Sequence, residues 1–142
     1  MPIRSAYAVW EGDLKSGKGK MKFAGGAYEG QYSFSSRFEN GQGTNPEELI
    51  AAAHSGCFSM ALSGALGRAG FTPKRISTTA KAHLEKVGEG FRITTMELET
   101  VAEVPGIDNH KFQEIAEGAK KNCPVSQALT GVDIKLNAKL AM

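Results

Sequence analysis

Along the chain the spacing of hydrophobic and polar positions changes period several times. Residues 4–10 alternate loosely, the turn residues Gly12-Asp13 follow, and residues 20–23 and 28–34 repeat the alternation on either side of Gly25-Gly26. A period of two, punctuated by glycine turns, predicts an amino-terminal β-meander. The pattern changes after the polar stretch Asn40-Gly41-Gln42-Gly43-Thr44. Asn45-Pro46-Glu47-Glu48 places a capping side chain, a proline at the first helical position and a glutamate three residues beyond the cap, which marks the start of a helix. Residues 49–66 are apolar or small on every side rather than along one stripe, so a long buried central helix is expected, ending near residues 67–70 with Pro73 barring its continuation.

Two β-rich runs follow, residues 75–87 and 91–104, and Gly88-Glu89-Gly90 between them predicts an antiparallel hairpin. Residues 108–120 carry Phe112, Ile115, Ala116 and Ala119 at helical spacing, with Asp108 at the start and Lys120-Lys121 at the end, as the helix dipole favours. Asn122-Cys123-Pro124 breaks this second helix, Pro124 can open a short further one, and residues 132–140 close the chain as a strand. The class expected is α+β in a single domain over residues 1–142, without internal repeats.

Composition narrows the function. A net charge of +2 is too mild to point to nucleic acid, and no run of about 18 consecutive apolar residues or secretory leader is apparent, so a cytoplasmic protein without a membrane span is expected. Lys15, Lys18, Lys20 and Lys22 lack interleaved aromatics and read as guards of an exposed turn and edge strand, while Gly17-Lys18-Gly19 is no phosphate-binding loop. The cysteines carry more information. Cys57 and Cys123 are the only two, far apart and without Cys-x-x-Cys spacing; no His, Cys, Asp and Glu pattern has metal spacing, and no Gly-x-Ser-x-Gly occurs. A redox couple suits them better than a metal site or a disulfide framework.

Local physics ranks Cys123 as the more acidic thiol, because it caps the helix opened by Pro124, whereas Cys57 sits in an apolar helix and reads as inert unless a charge is brought to it. Arg37 is a candidate cation. Glu47, like Glu48 a first-turn carboxylate, would lie about 15 Å from Cys57 along a continuous helix, so a bend, Arg37 or a second subunit must close the gap. His54, three residues before Cys57, reads as a base or ion partner, or as a packed histidine bonded to a backbone carbonyl.

Longer motifs are more specific. Trp10-Glu11-Gly12-Asp13-Leu14-Lys15, Arg37-Phe38-Glu39, Gly43-Thr44-Asn45-Pro46-Glu47-Glu48-Leu49-Ile50-Ala51-Ala52-Ala53-His54, Cys57-Phe58-Ser59-Met60-Ala61-Leu62, Val104-Pro105-Gly106-Ile107 and Asn122-Cys123-Pro124-Val125-Ser126 occur in order. Together they closely resemble the OsmC/Ohr family of osmotically inducible and organic hydroperoxide resistance proteins, the OsmC branch more than the Ohr branch. The resemblance implies a thiol peroxidase with Cys57 peroxidatic and Cys123 resolving, which reverses the ranking drawn from helix position. It implies an Arg37–Glu47 ion pair beside Cys57, with Arg37 preferred over Arg4, and an intertwined homodimer with sites at the subunit boundary. It further implies a Cys57 sulfenic acid that condenses with Cys123 to a disulfide, and an external dithiol reductant of lipoyl type, with no haem, flavin or metal. Phe58, Met60 and Leu62 are expected to favour alkyl or lipid hydroperoxides. The reading from another class is a non-catalytic stress or small-ligand-binding protein with both thiols in its core.

Overall fold

A computed structural model describes residues 1–141. The chain forms two compact units, Met1–Leu49 and Ile50–Met142.

In the first unit, β1 (Ala6–Glu11), β2 (Lys18–Phe23) and β3 (Glu29–Tyr32) form an antiparallel sheet in the order β1-β2-β3. Gly19 lies between Trp10 and Tyr32, whose ring centroids are 5.4 Å apart, and a Cβ there would come within 2.6 Å of both rings. Only glycine fits this centre. The lysines are not edge guards: Lys18, Lys20 and Lys22 project from the central strand, where Lys20 pairs with Glu29 at 3.3 Å. The strand expected over residues 28–34 stops at Tyr32, because Ser33 turns the backbone into a short helix, α1 (Phe34–Phe38). Ser33 Oγ accepts from the Ser36 N–H, and the Ser33 N–H donates to Ser36 Oγ at 2.8 Å, a reciprocal cap that the pattern of apolar residues does not register. No apolar side chain of this unit is buried among the described residues; its buried positions are Gly19, Ser36, Thr44 and Glu47.

The long helix α2 (Pro46–Arg68) starts where its cap predicts, with the Glu48 N–H donating to Asn45 Oδ1 at 2.7 Å. Its burial corrects the expectation of a helix enclosed on all sides. His54, Phe58, Leu62 and Leu66, four residues apart, are fully buried, while Ala52, Ala53, Gly56, Met60, Ser63 and Gly64 on other faces are exposed. Spacing of four produces one buried stripe, flanked by half-buried positions such as Cys57 and Ala61, with the opposite face left open in the single chain. By length and composition α2 also meets the measure of a membrane-crossing helix, as a core helix can, although His54, Ser55, Ser59 and Ser63 interrupt its apolar run.

β4 (Arg75–Val87) and β5 (Gly90–Glu103) pair antiparallel through the Gly88-Glu89 turn, with one irregularity between His83 and Leu84. After α3 (Asn109–Asn122) and α4 (Pro124–Ala128), β6 (Asp133–Leu140) joins β5 in parallel, as a connection of this length permits. The core lies between this sheet and the helices: Phe58, Leu62 and Leu66 of α2 meet Leu98 and Ala102 of β5, Phe112, Ala116 and Ala119 of α3, and Cys123.

Candidate active site

Two pairs of functional side chains form, each for a local reason. Two hydrogen bonds tie α1 to the segment before α2, Ser36 Oγ donating to the Thr44 carbonyl at 2.7 Å and Asn45 Nδ2 to the Ser36 carbonyl at 3.0 Å, and a third ties that segment to β3, the Thr44 N–H donating to the Gln31 carbonyl at 2.8 Å. Gly43 between them has φ +116°, and a Cβ there would come within 2.6 Å of the Gln31 carbonyl oxygen. With α1 held in this way, Arg37 reaches Glu47 in the first turn of α2. Its Nε donates to Oε1 at 3.1 Å and its Nη2 to Oε2 at 2.8 Å, the two-pronged geometry that only a guanidinium provides. Glu47 is buried, while the arginine side chain stays 37% exposed. Thr44 Oγ1 donates to Glu48 at 2.7 Å, so the neighbouring carboxylate serves the loop rather than Arg37.

The second pair comes from residues 66 apart in sequence. Cys57 Sγ on α2 and Cys123 Sγ at the α3–α4 joint lie 3.0 Å apart and share a hydrogen bond, both as free thiols. A disulfide needs about 2.05 Å, so a shift of roughly 1 Å would join them. Their surroundings differ. Burial pushes the Cys57 thiol up, its hydrogen bond with Cys123 adds to this, and the Val125 N–H opposes. Burial acts upward on Cys123 as well, but the hydrogen bond with Cys57, the Ser126 N–H and hydroxyl and the Val125 N–H outweigh it and hold this thiol below its usual range. Of the two thiols, Cys123 is therefore the one whose ionisation is favoured, as its place at the start of α4 suggests. Access points the other way. Cys123 is wholly buried, whereas Cys57 is partly exposed. Of the two cysteines, only Cys57 is open to a solute.

His54 is fully buried, and its partner is a hydroxyl rather than a backbone carbonyl: Nε2 lies 2.8 Å from Ser126 Oγ. Burial lowers its pKa below the ordinary 6.5. Ser126 was not among the residues picked out from sequence as functional. The available signal was spacing, since each cysteine has a polar residue three positions away, His54 before Cys57 and Ser126 after Cys123. Phe58 and Leu62 belong to the core at 0% exposure and cannot line a substrate path; of the three apolar neighbours only Met60, 79% exposed, is open to a solute. Among the described residues no group of three or more His, Cys, Asp or Glu side chains is placed to hold a metal ion.

Comparisons with known proteins identify relatives of the chain and of its fold. A family model described as "OsmC-like protein" matches residues 39–137. The chain is 54% identical over 127 residues to the Escherichia coli (strain K12) protein "Peroxiredoxin OsmC", covering 89% of each chain. It is 32% identical over 98 residues to the "Organic hydroperoxide resistance protein" of Xanthomonas axonopodis pv. citri, covering 68% of this chain and 67% of that one. Among solved structures, the organic hydroperoxide resistance protein OhrB of Bacillus subtilis superposes with a TM-score of 0.71 at 25% identity, over 95% of this chain and 98% of that one. The corresponding protein of Elizabethkingia anophelis, with thiocyanate bound, gives 0.75 at 27% identity over 98% of both chains.

Proposed function

The chain belongs to the OsmC-like protein family, and we propose that it is a cysteine-based peroxidase that reduces organic hydroperoxides in stress defence in the cytoplasm. One observation carries the reading: a partly exposed Cys57 whose sulfur lies 3.0 Å from that of a fully buried Cys123. The exposed cysteine attacks and the buried one resolves. Cys57 thiolate bonds to the distal oxygen of the hydroperoxide, the O–O bond breaks, and the alkoxide leaves as alcohol after taking a proton; the sulfur is oxidised to sulfenic acid. Cys123 then attacks the Cys57 sulfur, hydroxide leaves as water with the remaining proton, and the Cys57–Cys123 disulfide forms. An external dithiol of lipoyl type reopens it by exchange through a mixed disulfide. No haem, flavin or metal enters this cycle.

The raised Cys57 pKa needs a cation to offset it, and Arg37, oriented by Glu47, is the group proposed for that task. In a homodimer it can come from either subunit. The dimer reading is supported by the uncovered small and apolar residues of α2 and by an amino-terminal unit without a buried apolar side chain of its own. An unpartnered sheet of that kind cannot offset its chain entropy.

The test is mass spectrometry after one equivalent of t-butyl hydroperoxide. A Cys57–Cys123 disulfide is expected in the natural chain, a trapped sulfenic acid in Cys123→Ser, and no peroxide consumption in Cys57→Ser. Consumption that survives Cys57→Ser sinks the assignment.

A further inference from the structure

The peroxidase cycle leaves two buried polar side chains unused, His54 and Ser126, and the structure joins them to each other, with Ser126 three residues beyond the resolving thiol. His54 is 0% and Ser126 5% exposed, and their 2.8 Å contact links the third turn of α2 to the start of α4. Ser126 lies three residues after Cys123, the N-cap of α4 and itself 0% exposed. No solvent competes within this group of three.

The proton on the ring settles which way the hydrogen bonds run. His54 Nδ1 is buried and has no partner among the described residues. A neutral imidazole carries one N–H. Placed on Nδ1, that hydrogen would be an orphaned buried donor, and Nε2 would then take the only hydroxyl proton of Ser126. Placed on Nε2, it donates to Ser126 Oγ and leaves the hydroxyl proton free to point elsewhere, at the smaller cost of a bare lone pair on Nδ1. Burial keeps the ring neutral, and the Ser126 hydroxyl is one of the groups that hold the Cys123 thiol low. Both agree with the second arrangement.

We propose that His54 is a positioning residue for the resolving cysteine: its Nε2–H donates to Ser126 Oγ, and the Ser126 hydroxyl donates in turn to Cys123 Sγ, holding that sulfur 3.0 Å from Cys57. The chain of hydrogen bonds moves no electrons. It steadies the Cys123 thiolate through its attack on the Cys57 sulfenic acid, in which the S–S bond forms, the S–O bond breaks and hydroxide leaves as water. The inference rests on the peroxidase reading and adds to it the residue that sets the rate of the second step.

The experiment separates the steps. Natural chain, His54→Leu, His54→Gln and Ser126→Ala are mixed with one equivalent of t-butyl hydroperoxide and quenched at intervals, and the sulfenic acid and the Cys57–Cys123 disulfide are counted by mass spectrometry. Loss of a hydrogen bond to a charged sulfur predicts disulfide appearance slowed about tenfold in His54→Leu and Ser126→Ala, with the sulfenic acid persisting correspondingly longer. His54→Gln keeps an N–H donor at the place of Nε2 and stays within about threefold of the natural rate. Equal disulfide rates in all four proteins overturn the proposal. So does a His54→Gln as slow as His54→Leu, since that marks a packing role. Should His54→Leu not fold, Ser126→Ala removes the same link by deleting one oxygen atom.

A second readout needs no peroxide and so stands apart from the peroxidase reading. In a Cys57→Ser background, thiolate ultraviolet absorbance against pH reports Cys123 alone. His54→Leu shifts its midpoint to higher pH, and an unmoved midpoint overturns the hydrogen-bond chain even if the natural protein consumes peroxide normally.

Discussion

Met60→Glu tests whether the uncovered face of α2 is where two copies meet. Met60 is 79% exposed in the single chain. Full cover of a methionine side chain is worth about 1.5–3 kcal/mol, and a twofold interface covers it twice, about 3–6 kcal/mol. Only the exposed share is left to gain, 79% of the residue, which brings the figure to about 2–5 kcal/mol, or roughly 30- to 4,000-fold in the dissociation constant. Glutamate forfeits that gain and adds the cost of drying a carboxylate. The neighbours on this helix favour close approach, since a Cβ added at Gly56 or Gly67 would meet nothing within 4 Å in the single chain. Sedimentation velocity over a concentration series is the assay. The natural chain is expected as a dimer at micromolar concentration, with Met60→Ala dissociating at higher concentration and Met60→Glu monomeric throughout. A monomeric natural chain, or a Met60→Glu dimer as tight as the natural one, refutes the reasoning.

Further predictions follow from other parts of the structure. Arg37→Gln removes both prongs of the contact with Glu47 and is expected to slow peroxide consumption by tenfold or more; a rate within a factor of two would remove Arg37 from the proposed site. Phe58→Ala opens a cavity at a residue 0% exposed and should cost about 3–5 kcal/mol in urea unfolding, against less than about 1 kcal/mol if the side chain does not pack as described. Asn45→Ala deletes the cap accepting from the Glu48 N–H at 2.7 Å and should cost about 1 kcal/mol in the same measurement. Burial depresses the folded pKa of His54 below the ordinary 6.5. As pH falls through that ordinary value, the unfolded chain takes up a proton that the folded one refuses, so this stabilisation is whole above it and is lost on acidification. The urea midpoint should therefore fall more between neutral and mildly acidic pH in the natural chain than in His54→Gln, and equal falls would contradict the buried neutral ring.

Much of the fold was legible because local signals and period agree. Asn45-Pro46 opened α2, Asp108 capped α3 with its carboxylate accepting from the Lys111 N–H at 2.8 Å, and Gly88-Glu89 turned β4 into β5. α1 was not legible, because a five-residue helix with a serine cap has no period to read. Lys18, Lys20 and Lys22 were assigned to an edge from their charge, yet strand order is a long-range property and puts them at the centre of their sheet.

The sequence by itself determined which residues carry chemistry and in which local setting: two separated thiols, one at a helix start and one in an apolar helix, with Arg37 and Glu47 among the charges worth weighing. Tertiary structure decided the rest. It set the sulfurs of Cys57 and Cys123 at 3.0 Å across 66 residues, buried one cysteine and left the other partly open, and turned the packed His54 toward Ser126. The physical reason is range. Capping and periodicity act over a few residues, whereas access and the hydrogen bond between two sulfurs depend on which surfaces the chain closes over.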